Sequence, residues 1–240
     1  MQSPKSLRIL AEHFCFIGKF RELYYKIRKA QEFSYDMFWG ELIIKMEKLI
    51  LASTSPRRRD ILNSIGLKFE VVGSNFNEDT IKIDSNPWYL VETLAYEKAM
   101  DVYKRLGKGV ILAADTIVSL DGKIYGKPRD ENDARYMLES FSGRVHDVIT
   151  GVAVVGKDGE VLKSSEVTKV FFNNLDKKDI DAYIGSKEYI GKAGAYGIQG
   201  KGAVLVRRIE GSYTNVVGLP VNLVCCMLKK VNENIYSHWE

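Results

Sequence analysis

Leu49-Ile50-Leu51-Ala52-Ser53-Thr54-Ser55-Pro56-Arg57-Arg58-Arg59-Asp60-Ile61-Leu62 sets the fold class of this chain. Its aliphatic opening is a short apolar run of the kind that forms a buried strand. Small hydroxyl residues then lead to Pro56, whose fixed φ and missing N–H suit the first turn of a helix, with Ser55 as the natural N-cap. Ile61, Leu62 and Ile65 follow at helical spacing, and Gly66 closes the helix. The helix therefore begins with Arg57, Arg58 and Arg59. A helix N-terminus is already partly positive, so cations are poorly placed there unless an anion joins them. They are either a solvated basic face or an anion site in which free N–H groups, hydroxyls and guanidinium forks act together. The hydroxyl-rich strand-to-helix turn favours the anion site. No Gly-x-x-x-x-Gly-Lys-Ser/Thr phosphate loop is present.

Downstream, strands alternate with helices. Lys68 to Val72 reads as a strand and residues 73–85 as a polar loop with Glu78, Asp79 and Asp84. Asn86-Pro87 opens a helix to about Arg105, with an apolar line through Leu90, Val91, Leu94, Ala95, Ala99 and Val102. Lys98 falls between Leu94 and Val102 on the i, i+4 series, so it either snorkels out or meets a buried anion. Val110 to Val118 is an apolar strand interrupted by Asp115. A charge there is costly unless paired or metal-bound. It either caps a strand end or carries function, and the apolar residues that resume at Ile117 favour function. Asp121-Gly122 makes a hairpin turn that returns to Gly126-Lys127-Pro128, where Lys127 is a phosphate ligand or an ordinary loop lysine.

Asp130 caps a helix to about Ser140, and Val145–Val155 and Val161–Phe172 form a second hairpin. His146 reads as a surface or core-edge histidine rather than a catalyst. Asp176 caps a helix to about Gly185, followed by a glycine-rich loop over 191–202 without a Gly-x-Gly-x-x-Gly fingerprint. Ala203 to Arg208 reads as a strand, and residues 213–220 lead into a last apolar helix, Val221 to Lys230. The pattern is that of one mixed α/β domain from Met46 to Glu240.

The 240 residues carry a net charge of +4, too mild to argue for nucleic acid, and no apolar run is long enough for a membrane span. Cys15, Cys225 and Cys226 suit neither a disulfide framework nor a zinc site, which fits a reducing, cytoplasmic setting. Cys225 and Cys226 are expected to pack as small hydrophobes. Residues 1–45 differ from the rest, being rich in aromatic and basic residues, with a possible amphipathic helix around Phe20 to Ile27. They are either upstream sequence before a start at Met46 or a genuine, partly helical extension.

Cations (Arg57 to Arg59, Lys127 and Lys98), carboxylates (Asp115 and Glu78) and a glycine-rich loop bearing Gln199 together suit a metal–polyphosphate substrate. The carboxylates would hold Mg²⁺ or activate water, and the cations would neutralise phosphate oxygens. Five segments go further: Leu51 to Arg58, Ala113-Ala114-Asp115-Thr116, Gly126-Lys127-Pro128, Ala195 to Gly200 and Asn215 to Pro220. In that order they resemble the Maf family of nucleoside triphosphate pyrophosphatases, from about Lys48 to Val231.

The resemblance implies a mixed sheet with flanking helices, similar to the inosine triphosphatase-like fold, with two lobes around a cleft and commonly a homodimer. It implies hydrolysis of a nucleoside triphosphate to the monophosphate and pyrophosphate with a divalent cation, Mg²⁺ or Mn²⁺. Asp115 matches the proton acceptor, and Arg57, Arg58, Lys98 and Lys127 match positions that hold the triphosphate, with Ser53 and Ser55 in the same cradle. Glu78 matches an acidic position near the metal. Specificity positions correspond to Arg57, Thr116 and Gln199, and the Thr116/Gln199 pair resembles the branch that prefers dTTP and UTP. A Gln amide can both donate to and accept from a pyrimidine imide edge. Tyr125 stands where an aliphatic residue is common. The implied role is nucleotide-pool cleaning; the alternative is a division-associated protein that binds nucleotide without turnover.

Overall fold

The opening stretch folds as its residues dictate. Leu49–Leu51 (β1) is buried throughout, and Pro56 starts helix α1, Pro56–Ser64. Ser55 is the N-cap residue but its hydroxyl caps nothing; its own N–H donates to Ser53 Oγ at 3.2 Å. The helix ends at Ser64, and Gly66, at φ 72°, turns the chain away. The computed structural model describes residues 48–81 and 86–231. The N-terminal extension with its expected helix, Cys15 and Asp84 lie outside these.

After α1 come β2 (Glu70–Val71), α2 (Pro87–Leu106), β3 (Val110–Leu120), β4 (Lys123–Tyr125), α3 (Glu131–Phe141), β5 (Val145–Val155) and β6 (Val161–Phe172). Then follow α4 (Lys177–Gly185), β7 (Val206–Glu210), α5 (Tyr213–Val217) and α6 (Val221–Lys230). Among the described residues the fold is a mixed seven-stranded sheet with flanking helices, ordered β2-β1-β3-β5-β6-β7, with β4 added on β3. β1 runs parallel to β2 and β3, while the remaining pairs are antiparallel.

The period of two along β3 sorts its residues. Ala113, Asp115 and Ile117 stand opposite Ala153, Gly151 and Ile149 of β5. This face is covered by α2 through Val91, Leu94, Ala95, Ala99 and Val102. The other face, with Leu112, Ala114, Val152 and Val154, packs on Leu62 of α1 and Val224, Met227 and Leu228 of α6. A Cβ at Gly151 would collide with the backbone of Val91, so this glycine is what lets α2 lie directly on the sheet beside Asp115.

The edge of β3 that faces β1 is interrupted. β1 pairs only as far as Leu51 opposite Leu112, with Ala52 N–H donating to the Leu112 carbonyl at 2.7 Å. β4 joins the same edge only from Val118. Between them the sheet has a notch. Since the Leu112 carbonyl points to this edge, the backbone groups of Ala114 and Thr116 do so too.

Several sequence expectations are corrected. Residues 200–205 are 3₁₀ rather than strand, because Gly200 sits at φ 63° and Gly202 closes on the Gly197 carbonyl, which curls the chain before β7. The approach to α6 contains its own short helix, α5, capped by Ser212 Oγ accepting from Asn215 N–H at 3.3 Å. His146 is no surface residue: it is 2 % exposed, among Phe141, Phe172 and Tyr196. Cys226 is exposed while Cys225 packs against the core, since adjacent helical positions cannot share one inward face.

Candidate functional site

The notch opens into a cleft of about 450 Å³ lined by Ser53, Ser55, Arg57, Arg58, Glu78, Lys98, Asp115, Thr116, Lys127 and Gln199. Every site residue singled out by the sequence is thus brought to one place. The exception among the cations is Arg59, which is exposed and does not line the cleft. The site follows a general rule for sheets with parallel strands, in which ligands bind beyond the strands' carboxyl ends, here where β1 gives way to α1.

Asp115 is the central group. The strand period points it towards α2, and Lys98 reaches it from there at 2.6 Å. The same ammonium meets Glu78 Oε1 at 2.8 Å. Lys98 therefore meets the part-buried Asp115 carboxylate and does not snorkel, with its side chain only 13 % exposed. Glu78 is presented by a 3₁₀ turn, 78–80, whose start is capped by Asn77 Oδ1 accepting from Asp79 N–H at 3.1 Å. Burial pushes the Glu78 carboxyl up, but the hydrogen bond and charge of Lys98, helped by Lys127 and Arg58, outweigh it and hold it below the usual range.

The two leading arginines of α1 have different surroundings. Arg58 donates from Nε to the Gly218 carbonyl at 2.8 Å, from Nη1 to Ser53 Oγ at 3.2 Å and from Nη2 to Thr116 Oγ1 at 3.1 Å. Burial lowers its pKa, opposed by the charge of Asp115. The side chains of Arg57 and Lys127 make no hydrogen bond or ion pair among the described residues. Lys127 is fixed by the Gly126 carbonyl, which accepts from Gly194 N–H at 2.9 Å and ties this loop to the glycine-rich one. The Thr116 hydroxyl, besides meeting Arg58, lies 2.9 Å from Thr150 Oγ1.

Sequence reasoning missed Lys192. Its ammonium donates to the Glu188 carbonyl at the cleft wall, and burial, then the charge of Arg57, lower its pKa. The signal was there, a cation between two glycines of the loop. Phe76 and Ile190 add apolar surface to the cleft. Behind the loop, His146 Nε2 lies 2.8 Å from Tyr196 Oη, which anchors the segment that carries Gln199.

A family model described as a Maf-like protein matches residues 48–231. The chain belongs to the Maf family. Among curated relatives, a dTTP/UTP pyrophosphatase of Ruminiclostridium cellulolyticum is 47 % identical over 191 residues, covering 79 % of this chain and 99 % of the relative. A dTTP/UTP pyrophosphatase of Thermosipho africanus is 52 % identical over 177 residues, covering 74 % and 90 %. Among solved structures, the Ham1 protein of Staphylococcus aureus aligns with 77 % of this chain and 99 % of its own at 13 % identity and a TM-score of 0.46.

Asp115 and Glu78 are hard oxygen donors that reach one common point, which suits Mg²⁺ or Mn²⁺. No group of three or more His, Cys, Asp or Glu side chains that could hold a metal occurs among the described residues. Magnesium sites commonly use one or two carboxylates together with substrate phosphates, so the pair fits such an ion.

Proposed function

We propose that this Maf-family protein hydrolyses nucleoside triphosphates, dTTP and UTP above others, to the monophosphate and pyrophosphate. The observation that carries the reading is the convergence of Asp115, Lys98 and Glu78 in one cleft with two cations, Arg57 and Lys127, whose side chains make no hydrogen bond or ion pair among the described residues. The curated relatives' activity supports it.

Water adds across the α–β anhydride: the monophosphate keeps the new oxygen and pyrophosphate leaves. Asp115, whose Oδ1 meets Lys98 in the substrate-free protein, takes the water's proton. Arg57, Lys127 and Lys98 bind and orient the phosphates. Arg58 acts differently, holding Ser53, Thr116 and the Gly218 carbonyl in register. Gln199 lines the cleft and would offer the base both a donor and an acceptor. A bound Mg²⁺ or Mn²⁺, held by Asp115 and Glu78, would polarise the phosphoryl oxygens and offset their charge.

The proposal extends to a cytoplasmic setting and a homodimer, the dimer by resemblance to the family. Among the described residues no helix is long and apolar enough to cross a membrane. The test is pyrophosphate release from a panel of triphosphates with Mg²⁺ or Mn²⁺. Release from dTTP and UTP is expected, with a loss of about a hundredfold or more for Asp115→Asn, the scale of a general base. Binding without release by the wild type would overturn it.

A further inference from the structure

Lys98 holds the two carboxylates on which the metal reading rests, and it holds both with one nitrogen. We propose that Lys98 competes with the divalent cation for Asp115 and Glu78, so that the substrate-free protein excludes the metal and admits it only together with the nucleotide. The inference rests on the assignment of Asp115 and Glu78 as metal ligands.

Three observations support it. The ammonium meets Asp115 Oδ1 at 2.6 Å and Glu78 Oε1 at 2.8 Å, so a divalent cation using these oxygens stands against a cation already in contact with both. No further cluster of acidic, His or Cys ligands among the described residues completes a cage, so the remaining ligands come from substrate oxygens and water. Finally, the exchange needs no backbone movement in α2. That helix is pinned to the sheet at Gly151, whereas the lysine stem is flexible and Glu78 sits on a short turn. An incoming triphosphate offers Lys98 new anionic partners at the moment it delivers the metal. The ammonium transfers its contacts to phosphate and the carboxylates are released. Lys98 is then both a phosphate ligand and the group that couples metal entry to substrate entry.

The test reads metal binding directly. Free Mn²⁺ is followed by its electron paramagnetic resonance signal during titration of the full chain without nucleotide, for wild type, Lys98→Met and Lys98→Gln. Removing the ammonium is expected to tighten Mn²⁺ binding by about tenfold or more, even as pyrophosphate release is lost. The gain is expected to vanish in Lys98→Met/Asp115→Asn. Equal Mn²⁺ affinity in wild type and folded Lys98 variants overturns the proposal. Should the variants fail to fold, the wild type decides: Mn²⁺ binding is expected to tighten when a non-hydrolysable α,β-imido analogue of dTTP is added, corrected for Mn²⁺ held by the analogue alone. Unchanged affinity overturns the proposal. Pyrophosphate release with a Lys98-independent metal defeats this inference alone, whereas Lys98-gated metal without pyrophosphate release from any triphosphate defeats the functional reading alone.

Discussion

Arg58 joins three segments far apart in the chain, through Ser53, Thr116 and the Gly218 carbonyl. A lysine has the charge but not the planar fork, so Arg58→Lys leaves acceptors unsatisfied. It is expected to cost about 1–3 kcal/mol of stability, measured by thermal or urea denaturation. Arg57→Lys, with no protein hydrogen bonds to lose, is expected to leave stability within about 0.5 kcal/mol and to raise KM. The sequence places the two arginines side by side; the acceptors at Thr116 and Gly218, far along the chain, are what set Arg58 apart in the fold. Asp115 was legible because a carboxylate inside an apolar strand demands an explanation. Lys98 was half legible: helical spacing set its face, but nothing local named its partner.

At the scale of elements, α2 and β5 meet through a missing side chain. Gly151→Ala puts a methyl group into the backbone of α2 at Val91 and is expected to cost about 1–3 kcal/mol. Because α2 also carries Lys98, kcat is expected to fall with stability, read from melting curves and initial rates. A glycine inside a strand signals that something approaches closely, but not what. The 3₁₀ segment 200–205 escaped for a related reason: its aliphatic residues suit a strand, and glycine geometry overrides them.

The β5 histidine makes a pH prediction. Burial lowers the His146 pKa from 6.5 to about 3, so the folded protein keeps it neutral while the unfolded chain protonates it. The unfolded state then binds more protons between those values, and stability falls as pH drops from about 6.5 towards 3. The steepest contribution is about 1.4 kcal/mol per pH unit. His146→Phe is expected to show a shallower fall of unfolding free energy over this window. Equal slopes would show that the imidazole does not control it.

For the whole molecule, the notch in the sheet is the organising feature. The turn after β1, α1, α2, β3 and the glycine-rich loop all contribute to one cleft, so a bound nucleotide is expected to tie together segments spread along the described chain. With metal and a non-hydrolysable analogue at about 100 times Kd, stabilisation of about 2.7 kcal/mol is expected, seen as a rise in melting temperature. The sheet order itself was not legible, because sequence marks strands but not which ones are neighbours.

The notch has another side. Between Leu112 and Val118, one edge of a central strand carries backbone groups with no strand partner among the described residues. Such an edge is a template on which a second extended chain can zip. Here Arg58, Lys98 and Lys127 stand around it, like the charged gatekeepers that guard exposed strands elsewhere. Neutralising these side chains is expected to lower the charge barrier to such strand addition, read as a rise in light scattering of the variants. Variants that neutralise them should be handled as aggregation-prone even where their folded cores are untouched.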